Sequence, residues 1–298
     1  MTGGTGWLGT RLVRALVQTG VEVRIYARAR GDTRRSHNTL DASVEVRRGD
    51  ITDRDALADA LNGIGVVFHL AAEKAVDLCE REPSLAVQTN LIGTLLLSEL
   101  ASTSGITRIV AASSDKASGP ESVLGATKLL MERIVTSSST VPSSAAVRFG
   151  SLLQSGGSVL EHWKRTTPDG YIEVTDPDMT RFAMTSDEAV ELLMRAALRA
   201  DREIIAKALP AYRLGDLADL FAATNRVRIV VVGPRIGEKK HESLVSESEA
   251  PFTRRDGDLL VITPLHQQDG TEPYTSRRAP RLDRATLAAS LQHESPRA

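Results

Sequence analysis

An acidic and a basic side chain stand next to each other at Asp115-Lys116, directly after the apolar run Ile109-Val110-Ala111-Ala112 and the pair Ser113-Ser114. A carboxyl and an amine at a strand's carboxyl end can give and take protons within one site, and open α/β sheets build their sites at such ends. A second lysine, Lys128, follows on a helix that opens with Gly125-Ala126-Thr127 and leads back toward the same crevice. Four residues earlier, about one helical turn, stands Leu124, where a Tyr would offer a hydroxyl. Leucine offers none. Ser114 with Asp115, or a water held by Lys128, is then left to relay a proton.

The elements that must position these groups read as alternating strands and helices. Gly3, Gly6 and Gly9 form Gly-x-x-Gly-x-x-Gly, with Trp7 and Leu8 inside the turn, and Leu8, Leu12 and Leu16 then recur at helical spacing until Gly20. Such a turn offers free backbone N–H groups and a positive dipole end to a pyrophosphate. A strand over 21–26 follows at the distance a dinucleotide-binding unit requires. Its tip, Ala27-Arg28-Ala29-Arg30, carries no acid. An acid there would take the ribose 2′-OH of NAD, whereas Arg28 suits the 2′-phosphate of NADP, so NADP is preferred over NAD. A third strand at 44–46 leads into Gly49-Asp50-Ile51, a carboxylate and an apolar side chain able to flank an adenine.

A buried strand at 66–70 ends in Ala71-Ala72-Glu73-Lys74, small residues that let a cofactor pass the backbone. His69 inside this run reads as a satisfied core histidine. A long helix at 83–101 carries Asn90 as a structural hydrogen-bonder, and a strand at 145–149 ends at Gly150. Thr185-Ser186-Asp187-Glu188 reads as a capping box. Residues 1–150 thus form a Rossmann-type, doubly wound α/β dinucleotide-binding domain. Residues 151–298 form a smaller substrate-binding cap, part of which, within 180–232, returns to the sheet. The strand that should precede the glycine turn is missing from the sequence, so the first strand is expected to be truncated, trimmed or replaced by a defect in the sheet.

The 298 residues carry 37 Lys and Arg against 38 Asp and Glu, so no basic face for nucleic acid or a membrane is implied. No apolar run reaches the length of a bilayer span. A single cysteine, Cys79, excludes a disulfide framework and points to a reducing, cytoplasmic setting. The six histidines show no metal-ligand spacing, so no metal is expected.

Taken in order, these segments resemble the extended short-chain dehydrogenases/reductases, in the branch of UDP-N-acetylglucosamine 4,6-dehydratases and capsular-polysaccharide epimerases. The resemblance rests on Thr2-Gly3-Gly4-Thr5-Gly6, Ala71-Ala72-Glu73-Lys74-Ala75-Val76, Thr89-Asn90-Leu91-Ile92-Gly93-Thr94 and Ser113-Ser114-Asp115-Lys116-Ala117. The more branch-specific pieces are Asp176-Pro177-Asp178-Met179-Thr180-Arg181-Phe182, Arg235-Ile236-Gly237-Glu238-Lys239-Lys240-His241-Glu242 and Tyr274-Thr275-Ser276. It implies that Gly3, Gly6 and Gly9 hold the NADP pyrophosphate, Arg28 its 2′-phosphate, Asp50 and Ile51 its adenine, and Lys128 the nicotinamide ribose. Ala71, Ala72 and Lys74 belong to the same cleft, Lys74 also facing the substrate. Arg181 and Arg235 clamp a UDP diphosphate, with Glu238 near the uridine ribose.

The resemblance further implies Lys116 as base and Asp115 as acid, both in neutral forms, in an NADP-dependent 4,6-dehydratase of a UDP-N-acetylhexosamine. A homo-oligomer formed through the helices at 83–101 and 122–137 is implied as well. Three departures stand out: Ser114 for a Thr, Ser151 for an Asn, and Leu124 for the Tyr. Two rivals follow: a UDP-sugar epimerase working by transient C4 oxidation, and a silent dinucleotide or nucleotide-sugar binder.

Overall fold

The computed structural model describes residues 1–28, 43–137, 142–199, 202–264 and 266–292. Arg30, named above at the strand tip, lies outside them. Near the start, the helix α1 (Trp7–Gln18) follows the glycine turn, and the strand β1 (Arg24–Ala27) pairs parallel with β2 (Glu45–Arg48). Helix α2 (Arg54–Leu61) is opened by Asp53, which accepts the Ala56 N–H at 3.1 Å. Next come β3 (Val66–His69), β4 (Arg108–Ser114) and β5 (Ser143–Phe149), all parallel in register, with β9 (Glu203–Lys207) parallel beside β5. The hairpin β13 (Thr253–Asp256) and β14 (Leu259–Ile262) adds antiparallel to β9, giving the order β13-β14-β9-β5-β4-β3. Its turn is Gly257 at φ 61°, a conformation glycine adopts without strain.

At the level expected to lack a strand, the sheet is continuous. Thr2 bridges Tyr26 of β1 and His69 of β3. The backbone bonds run from Thr2 N–H to the Phe68 carbonyl at 3.0 Å and from Tyr26 N–H to the Met1 carbonyl at 2.8 Å. His69 is the satisfied core histidine the sequence suggests. Thr94 spends its proton on the Asn90 carbonyl at 2.6 Å and so accepts from Nε2 at 3.0 Å, leaving Nδ1 to accept from Thr2 at 2.8 Å. Burial, with Lys128 nearby, pushes the imidazole down to about 3.

The strands β5 and β9 read as continuous apolar runs because both of their faces are covered. Ala145, Ala146, Val147, Ile204 and Ile205 are fully buried. One face carries α1 and the helix α3 (Ser186–Arg199), which starts at a capping box: Thr185 N–H to Glu188 Oε2 at 2.9 Å and Glu188 N–H to Thr185 Oγ1 at 3.2 Å. On the other, Leu57, Leu97, Ile109, Met131 and Val135 form the core beneath α2 and the long helix α4 (Val123–Ser137). Each such aliphatic side chain stabilises the fold by roughly 1.5–3 kcal/mol.

The helix expected at 83–101 is interrupted: Pro83–Ala86 is α-helical, Val87–Ile92 is π-helical and Gly93–Thr103 is α-helical again. Beyond β5 lies a smaller layer, in which Thr180–Met184 pairs with Ser151–Leu152 and Ala211–Arg213. It is packed around Trp163 and Phe221, whose ring centroids are 5.5 Å apart. The part of the second half that returns to the main sheet is β9, together with the hairpin at 253–262, which was not read from the sequence.

Candidate active site

The carboxyl ends of β1, β3, β4 and β5 open onto one cleft of about 480 Å³. Its floor is the glycine turn. Gly3 sits at φ +67°, and a Cβ there would lie 2.7 Å from the Ala71 N; one on Gly9 would lie 2.6 Å from the Gly3 carbonyl oxygen. Side chains are excluded from the floor by backbone, so an elongated ligand can lie against it. Gly6 caps α1 without a side-chain hydrogen bond, leaving the first-turn N–H groups of the helix turned to the cleft. These features fit the pyrophosphate of a nicotinamide dinucleotide.

Trp7, Leu8, Arg28, Ile51, Ala71, Ala72 and Lys74 line the same cleft, as the sequence suggests. Lys74 meanwhile rests its ammonium on the Gly156 carbonyl at 2.9 Å. Asp50 is not in the lining: its carboxylate closes a turn on the Thr52 N–H at 3.0 Å and the Thr52 hydroxyl at 2.7 Å.

Ser114 ends β4, and Asp115–Ala117 forms one 3-10 turn that leads the chain out of the sheet. The Ser114 hydroxyl donates to Asp115 Oδ1 at 2.8 Å and accepts the Lys116 N–H at 3.3 Å. Gly125 on α4 lets the turn pack tightly, since a Cβ there would strike the Lys116 carbonyl. Asp115 is 1 % exposed, and its Oδ2 is buried with no hydrogen-bond partner. The Lys116 ammonium lies 3.4 Å from Asp115 Oδ1 and 2.9 Å from Glu242 Oε1.

Burial raises the Asp115 carboxyl above the usual carboxylate range, against the pull of Lys116. Burial also opposes the charge on Lys116, but Asp115 and Glu242 outweigh it and hold the ammonium above its ordinary value. The expected pair of neutral forms is therefore corrected for Lys116. Only Asp115 is moved toward neutrality, because Glu242 supplies Lys116 with a second counter-ion.

Leu124 and Lys128 stand one turn apart on α4 and both line the cleft. Leu124 is buried against Cys79 and Ala86. The Lys128 ammonium donates to the Ala112 carbonyl at 2.8 Å, and burial lowers it to about 8. Asn90 steadies this wall, accepting the Glu73 N–H at 2.7 Å and donating to the Glu73 carbonyl and the Thr127 hydroxyl, each at 3.0 Å.

The residues expected to meet a substrate gather only in part. Arg181 lies 3.3 Å from Glu238 and 3.9 Å from Glu242, which joins it to the acid–base turn. Arg235 is exposed and reaches Glu173 at 3.9 Å, while its N–H donates at 3.4 Å to the Glu238 carboxylate that also meets Arg181. None of Arg181, Arg235 and Glu238 lines the cofactor cleft. Glu242 was read only as part of a charged loop. Its signal was its place two residues before the apolar pair Leu244-Val245, where the loop turns inward.

A second buried group was also missed. Arg148 holds Glu132 at 2.7 Å and Glu249 at 2.6 Å, all three nearly inaccessible. Two clues were present. An arginine stood within the apolar run at 145–149, and Glu132 followed Lys128 by one turn on the face that also carries Leu124. Among the described residues no group of His, Cys, Asp and Glu is placed to hold a metal ion, and no helix is long and apolar enough to cross a membrane.

Comparison with known proteins places these features in a family. The model of the polysaccharide biosynthesis protein family matches residues 1–264. The chain is 33% identical over 317 residues to an uncharacterized membrane protein of Methanocaldococcus jannaschii, covering 99% of this chain and 95% of that protein. It is 31% identical over 268 residues to a UDP-glucose 4-epimerase of Rickettsia rickettsii, covering 84% and 77%. Among solved structures, Pen from Bacillus thuringiensis superimposes with a TM-score of 0.90 at 28% identity, covering 97% of this chain and 94% of that one. The dinucleotide cradle, the acid–base turn and these likenesses lead to one conclusion: the chain belongs to the polysaccharide biosynthesis protein family, as a nucleotide-sugar epimerase/dehydratase of the extended short-chain dehydrogenase/reductase enzymes.

Proposed function

We propose that the enzyme is an NADP-dependent 4,6-dehydratase of a UDP-N-acetylhexosamine. The observation that carries this reading is the buried Asp115 carboxyl, one oxygen unpartnered, behind Ser114 and Lys116, which line the cleft. Epimerisation through C4 alone has no use for a second acid–base pair, whereas removing water across C5–C6 requires one. Arg28 at the tip of β1 supports NADP over NAD. Arg181, whose guanidinium is the permanently charged fork a diphosphate calls for, supports a nucleoside-diphosphate sugar.

Bound in the cleft, the dinucleotide would supply hydride storage, holding the hydride of C4 and giving it back at C6 of the sugar. The rest is proton handling by the chain. Leu124 has no group to receive the 4-hydroxyl proton. Ser114 takes that proton as it passes its own to Asp115 along the existing 2.8 Å hydrogen bond. Once C4 is a ketone, the C5 hydrogen is acidic, and Lys116 removes it after its ammonium passes one proton to Glu242 along their 2.9 Å hydrogen bond. Asp115 gives its proton to the 6-hydroxyl, which departs as water. Lys116 then returns its proton to C5, so the sugar loses water and nothing else.

The experiment is to incubate the protein with UDP-GlcNAc and NADP⁺ in deuterated water and follow the sugar by NMR. Loss of water with deuterium at C5 is expected. A C4-inverted sugar with no label at C5 would instead establish the epimerase, the reading that the named Rickettsia relative favours. An unchanged sugar, from protein shown to bind NADP, would move the assignment to another UDP-sugar or to a silent binder.

Self-association through the two long helices belongs to the same reading. Val87, Ile92, Leu95 and Leu130 stand 39–50% exposed on them. Sedimentation should find a dimer that L130E dissociates; a monomeric wild-type protein would end this part of the reading.

A further inference from the structure

Two buried carboxylates compete for one ammonium in this site. Glu242 lies 2.9 Å from Lys116 and Asp115 lies 3.4 Å from it. Both carboxylate side chains are 2% exposed, and each keeps one oxygen, Glu242 Oε2 and Asp115 Oδ2, buried without a partner. The competition is not symmetrical. Arg181 approaches Glu242 at 3.9 Å from the neighbouring strand, and the buried Lys239 adds its charge from the loop before it. Among the described residues, Asp115 has the Ser114 hydroxyl and Lys116 alone at hydrogen-bond range. The position of Glu242 is itself fixed, since its N–H donates to the Ser276 hydroxyl and its carbonyl accepts the Ser276 N–H, each at 2.8 Å. Ser276 in turn is held by Thr180, the residue before Arg181.

We propose that Glu242 is the positioning residue of the acid–base pair: it claims the Lys116 ammonium and leaves the buried Asp115 carboxyl free to carry the sugar's proton. This rests on the dehydratase reading, in which Asp115 must receive one proton and later release it. It adds the group that keeps Asp115 from being locked into an ion pair with its own neighbour. It also accounts for how Lys116 becomes a base. Passing one proton along the Lys116–Glu242 hydrogen bond leaves an amine and a carboxylic acid, with no change in the net charge of the site. Because Arg181 faces the same carboxylate, a diphosphate that engages Arg181 is felt at Lys116 through Glu242.

The groups facing this cluster are Asp115 and Lys116 from the turn, Arg181 from its strand, Lys239 from the loop and the buried Tyr212 beside Arg181. Removing the Glu242 charge takes a like charge away from Asp115 and returns Lys116 to it. Both changes lower the pH at which Asp115 ionises, and Lys116 also loses a counter-ion. The whole pH–rate profile of E242Q must then move toward acid.

The test is carried out on full-length protein. Wild-type protein, E242Q and E242D are labelled with ¹³C at the aspartate carboxyl, D115N assigns the Asp115 signal, and each is titrated without substrate. The Asp115 midpoint is expected to fall by a pH unit or more in E242Q, about tenfold in ionisation constant. E242D, which keeps the charge but withdraws it by one methylene, should fall between E242Q and wild type and stands in if E242Q does not fold. An Asp115 midpoint that stays put in both variants overturns the proposal whatever the enzyme turns over.

With UDP-GlcNAc, E242Q should lose roughly 10²-fold in kcat, with NADP⁺ affinity little changed and the profile displaced to lower pH. A loss of the same size at every pH would make Glu242 merely structural and overturn it too. If the wild type turns over no UDP-sugar while the midpoint still falls, the dehydratase reading fails and the role of Glu242 stands.

Discussion

Arg148 with its two glutamates and Lys116 with its two carboxylates are built from the same materials, and they are finished differently. Around Arg148 every carboxylate oxygen is used. Glu132 takes two bonds from Arg148 and one from Ser113, and Glu249 takes Arg148, Ser118 and the backbone and hydroxyl of Ser246. Around Lys116 two buried oxygens have no partner. Desolvating charge is costly, and a buried ionic group is stable only when its remaining lone pairs are satisfied. The satisfied cluster ties α4, β5 and the C-terminal segment into one frame. The unsatisfied one is left for a ligand to complete. Ser113 and Ser114, consecutive residues on β4, leave opposite faces of the strand and serve one cluster each.

The contrast can be broken most forcefully at Arg148. R148M leaves two buried glutamates without a counter-ion and should cost about 3–5 kcal/mol of stability, read from the urea unfolding midpoint. A loss below 1 kcal/mol would mean that the frame does not depend on this arginine. D115N addresses the other cluster and should do the reverse. Turnover falls about 10²-fold, near 3 kcal/mol in barrier, while the unfolding midpoint holds or rises because a buried, half-paired carboxyl has become neutral. D115N that unfolds early but turns over normally would exchange the two assignments.

Titration separates the clusters by sign. Burial works against ionised Glu249, but Arg148 outweighs it and lowers the carboxyl to about 2. Its folded value lies below its unfolded one. The stability it contributes, about 3 kcal/mol by linkage, is present above pH 4.5 and is lost as pH falls toward about 2. Asp115 is raised instead, so it weakens the fold as pH climbs past its unfolded value, and the advantage of D115N should grow with pH. Urea midpoints across pH 2–8 for wild type, R148M and D115N test both slopes, and R148M should lack the acid-side loss from Glu249.

The smallest effects should come from the two serines that brace the clusters. S118A should cost stability by about 1 kcal/mol and leave kcat alone. S114A should slow turnover with the midpoint nearly unchanged. Equal effects of both on kcat would erase the distinction.

Much of this organisation was legible in the chain. The glycine turn, the strand ends at Ala71-Ala72 and Ser113-Ser114, and the spacing from Leu124 to Lys128 were local patterns, and local patterns survive folding. Met1-Thr2 could not be read as part of a strand, because a strand's apolar alternation needs several residues to show, whereas two backbone bridges suffice to hold the sheet together. The hairpin at 253–262 was hidden because its first strand, Thr-Arg-Arg-Asp, is polar, and only the Asp-Gly turn and Leu-Leu-Val-Ile beyond it mark a pair. Glu242 and Glu249 escaped for a different reason. Their meaning lies in partners more than a hundred residues away, Lys116 and Arg148, and no local periodicity points across that distance. Asp50 could not be placed from the sequence, since the turn that its Oδ1 closes on Thr52 is made by the fold and not by a pattern.

The π-helical stretch Val87–Ile92 is the one place where the long helix holds more residues per turn than an α-helix needs. Asn90 sits in it. Deleting one residue from this stretch would let the helix relax to ordinary pitch without moving Gly93–Thr103 out of register. The fold would tolerate the shorter sequence, but the amide that clasps Glu73 and Thr127 would be gone. The helix therefore carries a residue in surplus of its own architecture, and the chain's length at this point is set by the wall of the cleft.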